Sequence, residues 1–164
     1  MFQAMPYEGT RAEQYASVLS QLKGLIHDET NNIANLANAS SLLSHFLRDV
    51  NWTGFYLFDG KELVLGPFQG LPACIRIPLG RGVCGTAAAE RRTIVVEDVH
   101  KFPGHIACDA ASNSEIVVPL VKDGELIGVM DIDSPLKGRF DSVDQAFLEQ
   151  FADVLLSQLQ NPPK

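Results

Sequence analysis

The chain has 164 residues, the size of one ordinary domain, and its 46% hydrophobic and 20% charged residues allow it to bury a core of its own. A net charge of −7, with no basic run longer than Arg91-Arg92, argues against nucleic acid or an anionic membrane surface as partner, since neither would attract it at long range. The start, Met1 to Pro6, lacks the basic and apolar regions of a signal peptide, and the longest apolar stretch, Ile116 to Val121, is too short to cross a bilayer, so a cytoplasmic location is expected.

Tyr15, Val18, Leu19, Leu22, Leu25 and Ile26 recur at helical spacing and predict an amphipathic helix over residues 11 to 28. Ile33, Leu36, Ala37, Leu43, Phe46 and Leu47 predict a second from about Asn31 to Arg48. The period then changes. Trp52 to Phe58 reads as a strand that turns at Asp59-Gly60 into Glu62 to Leu65, because Asp-Gly accepts the positive φ angles of a tight two-residue turn. A short strand is expected from Cys74 to Ile77, stopped by Pro78, then a helix from Val83 to Arg91 and a strand from Thr93 to Val96.

Glu97 to Asn113 shows no period, and an irregular segment of that length inside a compact domain is usually functional. Strands follow at Glu115 to Val121 and Glu125 to Ile132, joined at Asp123-Gly124. The last helix is expected over Ser142 to Leu159, with Ser142 as N-cap three residues before Gln145. This order predicts an α+β domain with an antiparallel central sheet, a single unit over residues 1–164. Its parts are N-terminal helices at about 11–48, sheet and pocket at about 51–134, and a C-terminal helix at about 142–159.

Three cysteines are an odd set for a structural framework in a reducing compartment, so any pairing is expected to be transient and chemical. Cys84 lies near the start of the short helix, where unpaired N–H groups and the helix dipole stabilise a thiolate; the alternative is a small buried hydrophobe. Cys108 lies in the irregular segment three residues after His105, which could favour its thiolate, while Asp109 would oppose it. Cys74, beside Ile75 and Ile77, reads as core or rim.

Gly80-Arg81-Gly82-Val83-Cys84-Gly85 matches G-x-G-x-x-G, but the neighbouring hairpins do not form a βαβ unit, which favours a glycine-rich turn over a dinucleotide site. A zinc site built from the cysteines with His100 and His105 lacks any C-x-x-C pair. Asp131 and Asp133, two apart on a strand, share a face, and Glu115 on the neighbouring strand can join them. Three converging carboxyl groups repel, so one holds a proton at neutral pH; the cluster could bind an ammonium group and supply a general acid. The alternative is a solvated strand edge.

Several stretches resemble the GAF-domain free methionine-(R)-sulfoxide reductases. They include Asn51 to Leu57 (NWTGFYL), Leu65 to Gly70, Gly80 to Ala87 (GRGVCGTA), Glu97 to His100, Gly104 to Val117 (GHIACDAASNSEIV) and Gly128 to Ser134 (GVMDIDS). The resemblance implies a GAF fold, with helices on one side of an antiparallel sheet and loops enclosing a pocket on the other. It implies Cys108 as nucleophile on the sulfoxide sulfur, forming a sulfenic acid, with Cys84 as the resolving thiol and Cys74 as the alternative. It also implies recycling by thioredoxin, a substrate site of Trp52, Glu115, Asp131 and Asp133, and no metal or organic cofactor, because the thiols carry the two electrons. A homodimer is compatible with it. Two rivals are a GAF sensor that binds a small molecule without turnover, and a redox sensor whose signal is a Cys84–Cys108 disulfide. No output domain is expected within the 164 residues, which weighs against the first; the second needs no carboxylate cluster.

Overall fold

The computed structural model describes residues 1–105 and 110–162. Helix α1 spans Arg11–Ile26 and α2 spans Asn32–Phe46, each opened by a side-chain cap, Thr10 and Asn31, that accepts a backbone N–H of the first turn. Strand β1 (Trp52–Phe58) and β2 (Glu62–Gln69) lead to a three-residue β3 (Arg76–Pro78), helix α3 (Gly82–Glu90) and β4 (Ile94–Val96). After a 3-10 turn at Val99–Lys101 come β5 (Ser114–Lys122), β6 (Glu125–Ser134) and α4 (Ser142–Leu156). No helix among the described residues is long and apolar enough to cross a membrane.

The six strands form one sheet in the order β3-β2-β1-β6-β5-β4, antiparallel at every pairing. Side chains alternate across it and build two cores. Phe55, Ile116, Val118, Met130 and Ile132 point to one face and pack under α1, α2 and α4. Trp52, Tyr56, Val117 and Val129 point to the other, where α3 covers them with Val83, Cys84 and Ala87. The α+β architecture expected from the sequence is the one observed.

Four local expectations are corrected. The Asp59-Gly60 connection has three residues, and only Gly60 takes a positive φ; Asp59 keeps ordinary geometry and its carboxylate accepts the N–H groups of Lys61 and Glu62. Asp123-Gly124 does have both residues at positive φ, as a two-residue hairpin requires. Strand β2 runs on through Gly66-Pro67 to Gln69, and β3 sits one to two residues later than Cys74 to Ile77 and includes Pro78. The N-cap of α4 is Asp141: its carboxylate accepts from Val143 and Asp144, and Asp144 reaches back to the Asp141 N–H. Asp144, buried, also takes an ion pair from Arg139 at 3.2 Å and a hydrogen bond from the Tyr15 hydroxyl, which ties α1 to α4.

Candidate active site

A pocket opens between the α3-covered face of the sheet and the loops at its edge, and β1 supplies its aromatic wall. Trp52 stacks on Phe68 with ring centroids 5.2 Å apart and on Tyr56 at 5.8 Å, the planes within 14° and 21° of parallel. This stacking needs glycine at position 54, between Trp52 and Tyr56 on the same face of the strand. A Cβ there would lie 2.8 Å from Trp52 Cη2 and 2.3 Å from Phe68 Cβ. The Trp52 indole N–H donates to the Leu71 carbonyl at 3.2 Å, and the Tyr56 hydroxyl donates to the Cys74 carbonyl at 2.9 Å. These two bonds fix the loop after β2 along the pocket rim.

Strand register assembles the charged part. Glu115 on β5 stands opposite Asp133 on β6, and Asp133 stands opposite Trp52 on β1, so the three lie in one row across the sheet. The next row on the same face is Val117, Asp131 and Gly54. Glu115 and Asp131 are only 6% and 5% exposed, while Asp133 is half-buried. The solvated strand edge is therefore set aside, and the convergence read from the sequence is observed. Asp131 Oδ1 is buried and has no hydrogen-bond partner among the described residues, an open position for a donor that enters the pocket.

Burial pushes the Glu115 carboxyl well above the carboxylate range, and the charges of Asp131 and Asp133 push it further. Burial also raises Asp131, against which hydrogen bonding from Glu115 and Cys84 works. Of the two buried carboxyls, Glu115 is thus the one pushed further toward its protonated form. Cys84 comes down from α3 onto the pair, 5% exposed, with its S–H donating to Glu115 Oε1 at 3.9 Å. The expected thiolate at the helix start is not what forms. Cys84 is the third residue of α3, turned into the core, where burial and then the charges of Asp131 and Glu115 hold its thiol well above its ordinary pKa.

Cys74 is disulfide-bonded and Cys84 is a free thiol. Cys108 lies outside the described residues. Among the described members of the set weighed for zinc, Cys74 stands in a disulfide and the His100 ring pairs with the Asn113 side-chain oxygen at 3.1 Å. A different set, Cys84 Sγ with one oxygen each of Glu115 and Asp131, falls within 4.8 Å, a spacing that a thiophilic divalent ion could share. The glycine motif is the turn that opens α3. Gly80 and Gly82 take positive φ, and a Cβ on Gly85 would meet the Pro78 carbonyl at 2.5 Å.

Further lining residues were not singled out from the sequence. Arg81, exposed at the rim, caps α3 without a side-chain bond, and Ser112 is a buried part of the pocket wall. Tyr56 gave a signal only as one of several strand aromatics. His105 does reach the pocket, but burial and the nearby His100 lower its pKa, so it meets neutral pH uncharged and offers a hydrogen-bonding nitrogen instead of a positive field.

The sequence pattern that defines the GAF domain matches residues 24–159. The free methionine-R-sulfoxide reductase of Escherichia coli (strain K12) is 54% identical over 92% of this chain and 88% of its own length. The chain belongs to the GAF-domain free methionine-(R)-sulfoxide reductase family. Two solved structures extend the match from sequence to shape. The free methionine-R-sulfoxide reductase of Neisseria meningitidis, in complex with its substrate, superposes with a TM-score of 0.90 at 46% identity, covering 96% of this chain and 95% of that one. The reduced form of fRMsr from Staphylococcus aureus gives 0.87 at 52% identity, covering 94% and 99%. For a member of this reductase family, the buried Glu115, pushed toward its protonated form, and the open Asp131 oxygen are the features that bear on chemistry.

Proposed function

We propose that this chain reduces free L-methionine-(R)-S-oxide to L-methionine, with Cys108 as nucleophile, Cys74 as resolving thiol and thioredoxin as reductant. The observation that carries the reading is the Glu115–Asp131–Asp133 cluster beneath Trp52, in which burial and the neighbouring carboxyl groups push Glu115 toward its protonated form. A sulfoxide oxygen leaves only once protonated, so a carboxylic acid that keeps its proton at neutral pH answers the main chemical need. The open Asp131 oxygen and Asp133 suit a free ammonium group, and Arg81 at the rim offers the opposite charge to an α-carboxylate. A peptide-bound methionine sulfoxide has neither group to offer. The flat face of Trp52 suits the methyl-sulfur end.

In this reading the Cys108 thiolate attacks the sulfoxide sulfur while Glu115 gives its proton to the oxygen. The oxygen ends on Cys108 as a sulfenic acid, the methionine sulfur is reduced by two electrons, and methionine leaves. The Cys74 thiol then displaces the hydroxyl as water to form a disulfide, which thioredoxin reopens by supplying two electrons. Cys74 is preferred to Cys84 for this step because it already stands in a disulfide, whereas Cys84 is a buried, protonated thiol. The preference for the R epimer follows from the family.

The test couples turnover to NADPH oxidation through thioredoxin and its reductase, with the free R epimer, the free S epimer and a blocked peptide analogue as substrates. Turnover of the free R epimer alone, lost in Cys108→Ser, is the expected result. Folded, fully reduced protein that turns over none of them overturns the proposal and leaves a GAF ligand sensor.

A further inference from the structure

We infer that Cys84 is a positioning residue for the acid: its S–H holds Glu115 in register with Asp131, and it takes no part in thiol–disulfide exchange. The inference rests on the reductase reading above and assigns a role to the cysteine that reading leaves over.

A cysteine buried for packing alone sits among hydrocarbon. Cys84 has Val83, Ala87 and Ala88 of its own helix in the surrounding core, but its sulfur is turned out of that core toward two carboxyl groups. The S–H reaches Glu115 Oε1 at 3.9 Å, and Sγ and one oxygen each of Glu115 and Asp131 fall within 4.8 Å of one another. With one Glu115 oxygen occupied by the thiol proton, the other is the oxygen that carries the acid's own proton. Helix α3 packs against β5 and β6, which places the thiol over the carboxyl groups of both strands.

Exchange chemistry asks the opposite of this environment. A resolving thiol must be reachable and must give up its proton, and Cys84 is 5% exposed with carboxylates that oppose a thiolate. The ionisable groups that face it or the acid are Glu115 from β5, Asp131 and Asp133 from β6, Tyr56 from β1, His105 from the loop and Arg81 from the start of α3. The S–H donor favours the charged form of Glu115, against burial and its neighbours. Its removal therefore raises the pH at which Glu115 loses its proton.

The experiment is a single turnover: fully reduced protein is mixed with free methionine-(R)-sulfoxide, and methionine release is followed against pH for wild type, Cys84→Ala and Cys84→Ser. Cys84→Ala is expected to be roughly tenfold slower, a fraction of the 10²–10⁴-fold that a general acid contributes, with its alkaline limb moved to higher pH. Cys84→Ser keeps a donor and is expected to regain most of the rate and the wild-type limb. Thiol titration afterwards should show two thiols consumed per chain in all three. If either variant fails to consume two thiols, Cys84 is the resolving thiol and the inference is overturned. Wild-type pH profiles in both variants overturn it as well. A wild type that releases no methionine overturns the reductase reading itself, and the inference falls with it.

Discussion

Glu115 and Asp133 face each other directly across the β5–β6 ladder, one fully buried and the other half-open to the pocket. The pair splits two tasks between residues of the same chemistry. The inner carboxyl is pushed toward its protonated form by burial and by its neighbours, and the outer one stands where an entering group can reach it.

That pairing sets a pH signature in stability. The Glu115 pKa is raised in the folded protein, whereas the unfolded chain ionises it near the ordinary value of about 4.3. A raised folded pKa gives stability that is fully present below the unfolded value and is lost as pH rises toward the folded one. Wild type should therefore lose stability from about pH 4 upward, and Glu115→Gln should lose less. Thermal melts across pH 4 to 8 should show the two curves diverging by several degrees, at about 2–4 °C per kcal/mol for a domain of this size. Parallel curves would mean that Glu115 ionises normally. Turnover of Glu115→Gln should fall by roughly 10²-fold or more.

Cys74→Ser and Cys108→Ser should fail in different ways. Cys108→Ser should release no methionine. Cys74→Ser should release up to one equivalent per chain and then stop, with a sulfenic acid that a dimedone-type reagent traps. Continued thioredoxin-driven turnover by Cys74→Ser would remove Cys74 from the resolving role.

Trp52 carries both stability and substrate contact. Trp52→Ala removes a buried ring stacked on Phe68 and Tyr56 and should cost about 3–5 kcal/mol in denaturant unfolding. Trp52→Phe keeps an aromatic face and loses the bond to the Leu71 carbonyl, worth about 1 kcal/mol. Its KM should rise about fivefold with the fold retained. A KM equal to wild type in Trp52→Phe would show that the loop is held without that bond.

Gly54→Ala tests the wall from behind. The added methyl meets Phe68 Cβ at 2.3 Å and Phe68 Cα at 2.9 Å, so backbone must shift at the point where the β1–β2 register is already irregular. The urea midpoint should fall by the equivalent of about 1–3 kcal/mol, and KM should rise with it. An unchanged midpoint would mean that β2 yields freely and that Gly54 does not set the Trp52 stack.

The legible parts of the molecule are those in which local period and tertiary environment agree. Val18, Leu22 and Ile26 sit at helical spacing and are buried, and the Trp52–Phe58 strand has the limits its pattern predicts. Asp131 and Asp133 could be put on one face by counting alternate residues. What failed depended on partners distant in sequence. Gly66-Pro67 looks like a break, yet β3 pairs only with Glu62 to Val64, so Pro67 lies where one edge of β2 is open and loses no required bond. Ser142 had the right side chain for a cap, but Asp141 can cap α4 and also pair with Arg11. Cys84 followed the rule for a helix start; the packing of α3 over β5 and β6, which no local rule encodes, turned it into a protonated thiol.

Trp52 is the sole tryptophan of the chain and it forms a wall of the pocket. Intrinsic emission excited at the indole therefore has a single origin, bordered by Asp133 in the same cross-strand row and by the Tyr56 and Phe68 rings. An occupant of the pocket and a melt of the sheet would both be read through this one fluorophore, without label or engineered probe.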